Sequence, residues 1–173
     1  QIKQSQNIVN ITLGEGYIDV LKIKSSGYQK YQIYIIQKQH QILGIAWVKW
    51  LSRENIIAKS RNKMSYANLT PHIDVIAIHP KFQKKGVGKQ LFNLITQNQN
   101  HSKILCFAWD NQGKVHLHNL LSKHHFKAIA GFKNYYLKDS LAQGFSCSVC
   151  RFPCTCGIKI YRKVVLSLIH ISE

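Results

Sequence analysis

The sequence predicts an α+β domain with a mixed, mostly antiparallel central sheet flanked by helices. Three observations carry this. Residues 72–95, HIDVIAIHPKFQKKGVGKQLFNLI, read as a buried strand, a tight glycine loop and an amphipathic helix. Residues 31–51 read as a β-hairpin. Strands and helices then alternate along the rest of the chain, with no internal repeat and no low-complexity linker.

Each element has its own signal. Residues 1–30 resist assignment, because Gly14 and Gly16 interrupt an apolar series that includes Ile8, Ile11, Tyr17 and Ile18. Tyr31 to Gln37 and Ile42 to Leu51 form the hairpin strands around a Lys38-Gln39-His40-Gln41 turn. A polar connection over 52–70 holds a short helix within Glu54 to Met64. His72 to His79 is rich in Ile and Val, and Pro80 ends that strand. Val87, Leu91, Leu94 and Ile95 recur at helical spacing, giving a helix over 87–97. Ile104 to Trp109 is a short apolar strand, Asn111 to Lys123 a helix, and Phe126 to Leu137 and Gly157 to Val165 the last two strands.

A chain of 173 residues fits one domain with a sizeable core. No run approaches the ~18 apolar residues that a membrane span needs, so no membrane partner is expected. The first ten residues carry no secretory signal, and a cytoplasmic or organelle-stromal setting is expected. The chain does not begin with Met, so its true N-terminus is expected to be missing, and 1–30 is read as an uncertain or truncated part. The last eight residues, LSLIHISE at 166–173, resemble translated sequencing-adapter read-through and are expected to be non-native.

The 24 Lys and Arg against 7 Asp and Glu give a net charge of +17. Such a field favours polyanions, among them nucleic acid, CoA phosphates and acidic peptides. The lysines are scattered, however, and a Lys-, Ile- and Gln-rich proteome is the simpler source of the charge.

The glycine loop carries the most chemistry. Backbone N–H groups at a helix start point outward and attract anions. Gly86 and Gly88 let a phosphate approach the main chain, and Lys84, Lys85 and Lys89 add positive charge. The first Gly of a dinucleotide fingerprint is missing. Gln83-x-x-Gly86-x-Gly88, behind the strand end Ile76-Ala77-Ile78-His79-Pro80, resembles the signature of the GNAT acyl-CoA N-acyltransferase family. The resemblance covers about 31–165. It implies acetyl-CoA as cosubstrate, held by Ile76, Ala77, Ile78, Gln83, Lys84, Lys85, Gly86, Val87, Gly88 and Lys89, with Asn111 near the pantetheine. It also implies an amine acceptor, whose identity stays open between protein and small molecule.

Amine attack on a thioester needs a base, because a Lys amine in water has a pKa of about 10.4. On the 72–79 strand, strict alternation places His72 and Asp74 on one face with Ile76 and Ile78. Some protein-acetylating family members carry their base eleven residues before the motif's Gln or Arg, which here is His72; Asp74 lies one pair further along. Backbone N–H near Ile78 is expected to hold the thioester carbonyl. In the family a helix Tyr commonly protonates the departing thiolate. Counting forward from Asn111 puts His118 at that position, and counting back from Phe126 puts Leu121 there. His118 is therefore the acid candidate, with Tyr135 or Tyr136 as substitutes, of which at most one can face the site.

Four of the five cysteines fall in Cys147-Ser-Val-Cys150-Arg-Phe-Pro-Cys154-Thr-Cys156. This spacing lets four thiolates converge on one tetrahedral ion. Zn²⁺ is the first expectation, with an Fe–S cluster or free, redox-active thiols as the others. Four Cys ligands leave no open position, so the metal would be structural. Cys106, alone in an apolar strand, reads as core. In GNAT enzymes the connection holding the cluster borders the acceptor groove. The expected function is acetyl-CoA-dependent N-acetyl transfer. The alternative is a catalytically silent GNAT-like module binding CoA or nucleic acid through its basic surface and zinc loop.

Overall fold

A computed structural model describes residues 2–15, 30–51, 70–97 and 103–164. The chain folds as α1 (Ile2–Leu13), β1 (Lys30–Lys38), β2 (Gln41–Leu51), β3 (Thr70–Ile78), a 3₁₀ turn at Pro80–Phe82, α2 (Val87–Gln97), β4 (Lys103–Asp110), α3 (His118–Lys123), β5 (Lys127–Phe132), α4 (Leu137–Gln143) and β6 (Gly157–Val164). The six strands form one sheet in the order β1-β2-β3-β4-β6-β5. Every pairing is antiparallel except β3 with β4. This is the expected mixed α+β architecture.

The two faces of the sheet are covered differently. On one face α2 buries Val87, Leu91, Phe92 and Ile95; the last three pack with Ala46, Val48, Ile73, Ile104 and Cys106. On the other face α1 buries Ile8 and Val9 against Ile45, Trp47, Val75 and Ala77. Next to α1 on that side, Cys147, Cys154 and Cys156 join Leu105, Phe107, Tyr136 and Phe145 in a further cluster.

Several elements differ from expectation. The first 15 residues hold a helix, α1, that the sequence left unassigned. The helix expected over Asn111–Lys123 is reduced to its second half. Asp110 Oδ1 accepts from Gly113 N at 2.6 Å, and Asn111 and Lys114 exchange backbone bonds of 3.1 and 2.9 Å. With Gln112 at φ 50° and Gly113 at φ 93°, this is a tight turn that a helix cannot enter. The strand expected to reach Leu137 stops at Phe132, where Asn134 turns at φ 51°, and α4 follows. The short helix within 54–64 and the tail 166–173 lie outside the described residues.

Two irregularities on β3 shape the site. Val48 pairs with Ile73 and Trp47 with Val75, so Asp74 is an extra residue in a β-bulge. On its other edge, β3 pairs with β4 only at His72–Leu105 and Ile73–Cys106. Beyond Ile73 the two strands part.

Candidate active site

The parting of β3 and β4 opens a cavity of about 470 Å³, a volume typical of small-molecule sites. Asp74, Ile76 and Ile78 line it from β3, and Phe107, Ala108 and Trp109 from β4. Gln83 and Lys84 of the glycine loop form a further part of the wall. Thr12, Leu13, Val75, His116, Leu117, Tyr136 and Val149 close the rest.

The bulge decides which side chains meet. Strict alternation put His72 and Asp74 with Ile76 and Ile78, but the extra residue reverses the phase. Ile76 and Ile78 pack with Ile73 on the α2 face, whereas Val75 and Ala77 pack on the α1 face. His72 and Asp74 stay together, with His72 Nε2 3.0 Å from Asp74 Oδ1. His72 is fully buried, edge-on to Phe107 at 4.9 Å between ring centroids, and is not part of the cavity wall. Asp74 is the member of the pair that reaches the cavity. Its second oxygen, Oδ2, takes an ion pair of 2.5 Å from Lys49 on β2, whose ammonium also lies 4.3 Å from the Trp47 ring centre. Lys49 is nearly buried, which is costly for an ammonium without a partner. No local pattern signals this contact, because only strand register brings Lys49 beside His72.

The glycine loop is built as its composition demands. His79 Nδ1 accepts from Lys81 N at 3.2 Å, and Gln83 Nε2 donates to the Ile78 carbonyl at 3.2 Å, tying the loop to the end of β3. Lys84 at φ 59° and Gly86 at φ 85° make the tight turn into α2. At Gly88 a Cβ would lie 3.0 Å from Ile78 Cδ1 and 3.1 Å from Leu120 Cδ2, so this glycine lets α2 approach β3 and α3. The Gly86 carbonyl accepts from Gln90 N, leaving the N–H groups of Val87, Gly88 and Lys89 outside the helix's own ladder. Lys85 leans over Phe82, 5.7 Å from its ring centre. Ala77 is buried on the α1 face, away from the loop's side of the sheet.

The other expected residues lie elsewhere. His118 is exposed at the start of α3, with Nδ1 3.1 Å from the Tyr161 hydroxyl, and does not line the cavity. Burial, then Cys106 and Asp110, raise the Tyr161 pKa. Leu121 is fully buried in the core. His116 and Leu117, one turn earlier, are the residues of this segment that reach the cavity. Asn111 is engaged with Lys114 in the turn before α3 and is not a wall residue. Of the neighbouring tyrosines, Tyr136 faces the cavity, nearly buried and edge-on to Trp109 at 5.5 Å. Cys106 is buried core, its thiol pKa raised by burial and then by the Asp74 charge.

The four clustered cysteines converge. Their Sγ atoms all lie within 4.8 Å of one another. The short distances are 3.4 Å for Cys150–Cys156, 3.5 Å for Cys150–Cys154 and 3.8 Å for Cys147–Cys156. Burial pushes the Cys154 thiol up to about 12 and also raises Cys156. At Cys150 burial acts the same way, but hydrogen bonds from Cys156, the Thr155 backbone, Cys154 and Cys147 outweigh it and bring the thiol down to about 7.

The sequence profile of the Acetyltransferase (GNAT) family matches residues 12–126. The chain belongs to the GNAT acetyltransferase family. A search of curated proteins finds no sequence match. Among solved structures, this GNAT chain is similar to the ribosomal-protein-S18-alanine N-acetyltransferase from Escherichia coli, with TM-score 0.65, 11% identity and coverage of 99% of this chain and 93% of that one. It is also similar to an N-acetyltransferase from Staphylococcus aureus, with TM-score 0.51, 12% identity and coverage of 83% and 71%. A polyamine N-acetyltransferase from Drosophila melanogaster gives TM-score 0.54, 10% identity and coverage of 77% and 74%. At such identities these likenesses concern the fold. No helix of this GNAT protein, among the described residues, is long and apolar enough to cross a membrane.

Proposed function

We propose that this protein transfers an acetyl group from acetyl-CoA to the amine of an acceptor. The observation that carries the reading is the parting of β3 and β4 after Ile73, which joins the glycine loop to Asp74 through one cavity. The pyrophosphate is assigned to the N–H groups at Val87, Gly88 and Lys89, with Lys84 and Lys85 beside it. The pantetheine is assigned to the edge of β3 beyond Ile73, alongside Ile76 and Ile78, where the ladder to β4 has ended.

Asp74 is the proposed base. It reaches the cavity, and a carboxylate there both attracts an ammonium and removes its proton, directly or through water. His72, buried behind it, positions the carboxylate. Asp74 passes the ammonium's first proton to solvent; the amine nitrogen then bonds to the acetyl carbon, its second proton goes to Asp74, the C–S bond breaks, the thiolate takes a proton from Tyr136, and the Tyr136 phenolate recovers a proton from solvent as Asp74 releases its own. Tyr136 replaces His118 in this role because it lines the cavity and His118 does not. The cysteine loop contributes Val149 to the wall, and Zn²⁺ is the ion its four thiols suit.

The experiment is acetyl-CoA binding by calorimetry, followed by turnover over a panel of amines and peptides. Micromolar binding with release of free CoA in the presence of one acceptor class supports the reading. Binding without turnover on any amine supports the silent module instead.

A further inference from the structure

We propose that Cys147, Cys150, Cys154 and Cys156 bind one Zn²⁺, and that this ion fixes the end of α1 against the cavity. The second half of the proposal rests on the acetyl-transfer reading of that cavity; the metal site stands without it.

The geometry is that of a mononuclear tetrathiolate. A tetrahedral ion with Zn–S bonds of about 2.3 Å has S···S edges of about 3.8 Å. Three edges already measure 3.4, 3.5 and 3.8 Å, and none exceeds 4.8 Å. The shortest is far longer than the ~2.05 Å of a disulfide, and all four cysteines are free. The sulfurs are also too close together to ligate separate irons of a multi-iron cluster. Cys147, Cys154 and Cys156 are buried, while Cys150 is partly open to solvent and gives the ion its way in.

The surrounding shell is arranged for thiolates. Cys147 and Arg151 exchange backbone bonds of 3.2 and 3.1 Å, closing a tight turn with Arg151 at φ 66°. Inside that turn Val149 N donates to Cys147 Sγ at 3.4 Å, a bond that offsets negative charge on sulfur. Ser140, fully buried, accepts from Cys154 N at 2.9 Å and donates to the Phe145 carbonyl at 3.0 Å, holding both ends of the loop to α4.

The same turn holds α1. Ser148 lies between the first two ligands. Its Oγ donates to the Thr12 carbonyl at 3.0 Å and its N–H to the Leu13 carbonyl at 3.4 Å. Ser146 N donates to the Glu15 carbonyl at 3.3 Å. Thr12, Leu13 and Val149 are walls of the cavity that Asp74 also lines. The part of this turn that touches α1 is exposed at Ser148 and Val149, with Cys147 behind it buried, so little apolar burial fixes the contact itself. The ion supplies the missing constraint. The glycine loop belongs to the α2 face, so metal loss should disturb the acceptor wall and spare the CoA phosphates.

The test begins with metal analysis of the full chain purified without chelator. One zinc per chain is expected, and Co²⁺ exchange should give the intense visible bands of a tetrahedral tetrathiolate. No stoichiometric zinc and no such bands in folded protein would overturn the site, as would several irons per chain. Cys150→Ser should lose stoichiometric zinc; full zinc content there would overturn the four-cysteine ligand set. Hydrogen exchange then reads the coupling. In chelated wild type, and in zinc-loaded Ser148→Ala, exchange at the last turn of α1 should quicken about tenfold, with Val87–Lys89 unchanged. Unchanged exchange at α1 in chelated protein would overturn the coupling. Stoichiometric zinc in a protein that fails to bind acetyl-CoA would remove the acetyl-transfer reading and leave the metal site standing.

Discussion

Lys49 Nζ meets Asp74 Oδ2 at 2.5 Å, pairing a nearly buried ammonium on β2 with the bulged carboxylate of β3. The bulge is what turns Asp74 toward both Lys49 and the cavity, so a backbone irregularity and a charge pair form one device. Asp74→Asn should lower turnover by about 10²–10⁴-fold while leaving acetyl-CoA affinity near wild type. Calorimetry and steady-state rates on the same preparation separate the two effects. A wild-type rate would remove Asp74 as the base. Lys49→Met should lower stability by about 1–3 kcal/mol, less than for a fully buried pair because Asp74 keeps some solvent; urea midpoints measure it.

The two motif glycines should fail differently. At Gly86 a Cβ meets nothing within 4 Å, but φ is +85°. Gly86→Ala should therefore cost about 1–2 kcal/mol of backbone strain with modest loss of acetyl-CoA affinity. Gly86→Glu adds a negative charge where the pyrophosphate is assigned, and should weaken binding about tenfold or more beyond the Ala variant. Gly88→Val pushes on Ile78 and Leu120 and should lower stability together with affinity. Equal affinities across the Gly86 pair would remove the phosphate assignment.

Among the described glycines, Gly14 is the tightest. A Cβ there would lie within overlap distance of the Ser146 carbonyl oxygen, and φ is +118°. Gly14→Ala must move α1 away from the cysteine loop and should destabilise by about 2 kcal/mol or more. Thermal melts of zinc-loaded protein check this; an unchanged melting temperature would mean that the two segments do not dock this closely.

His124 stacks on Phe92 at 5.1 Å. Burial, then Lys163, Lys89 and His125, lower its pKa in the folded state. The unfolded chain therefore binds the proton more readily. The stabilising contribution is present above the ordinary value of about 6.5 and is lost as pH falls through that value toward the lowered one. His124→Gln should flatten the loss of stability between neutral and mildly acidic pH, read from denaturation curves at several pH values.

The strand, loop and α2 were legible because their signals are local. Pro80, Gly86 and the spacing of Val87, Leu91 and Ile95 lie within 16 residues of one another. The position of Asp74 was not legible, since alternation assumes an unbroken ladder and the bulge appears only once Trp47 and Val48 are in register. α1 escaped because Ile8, Val9 and Ile11 are β-branched and fit strand as well as helix. α4 escaped because Ala128 to Phe132 and Tyr135-Tyr136 read as one strand across the turn at Asn134. His118 looked like the acid when counted from Asn111; its Tyr161 partner is 43 residues away in sequence and no local pattern reports it.

The strand order β4-β6-β5 has a consequence for biosynthesis. The strand that fills the gap between β4 and β5 is the last of the six to leave the ribosome. Until Gly157–Val164 emerges, β4 and β5 each present an open edge, and open edges invite pairing with other chains. The cysteine turn is translated immediately before that strand. Closure of the sheet and gathering of the thiols therefore fall together, after the other five strands are out. A nascent chain stalled before Gly157 should be aggregation-prone, however well its N-terminal half has folded.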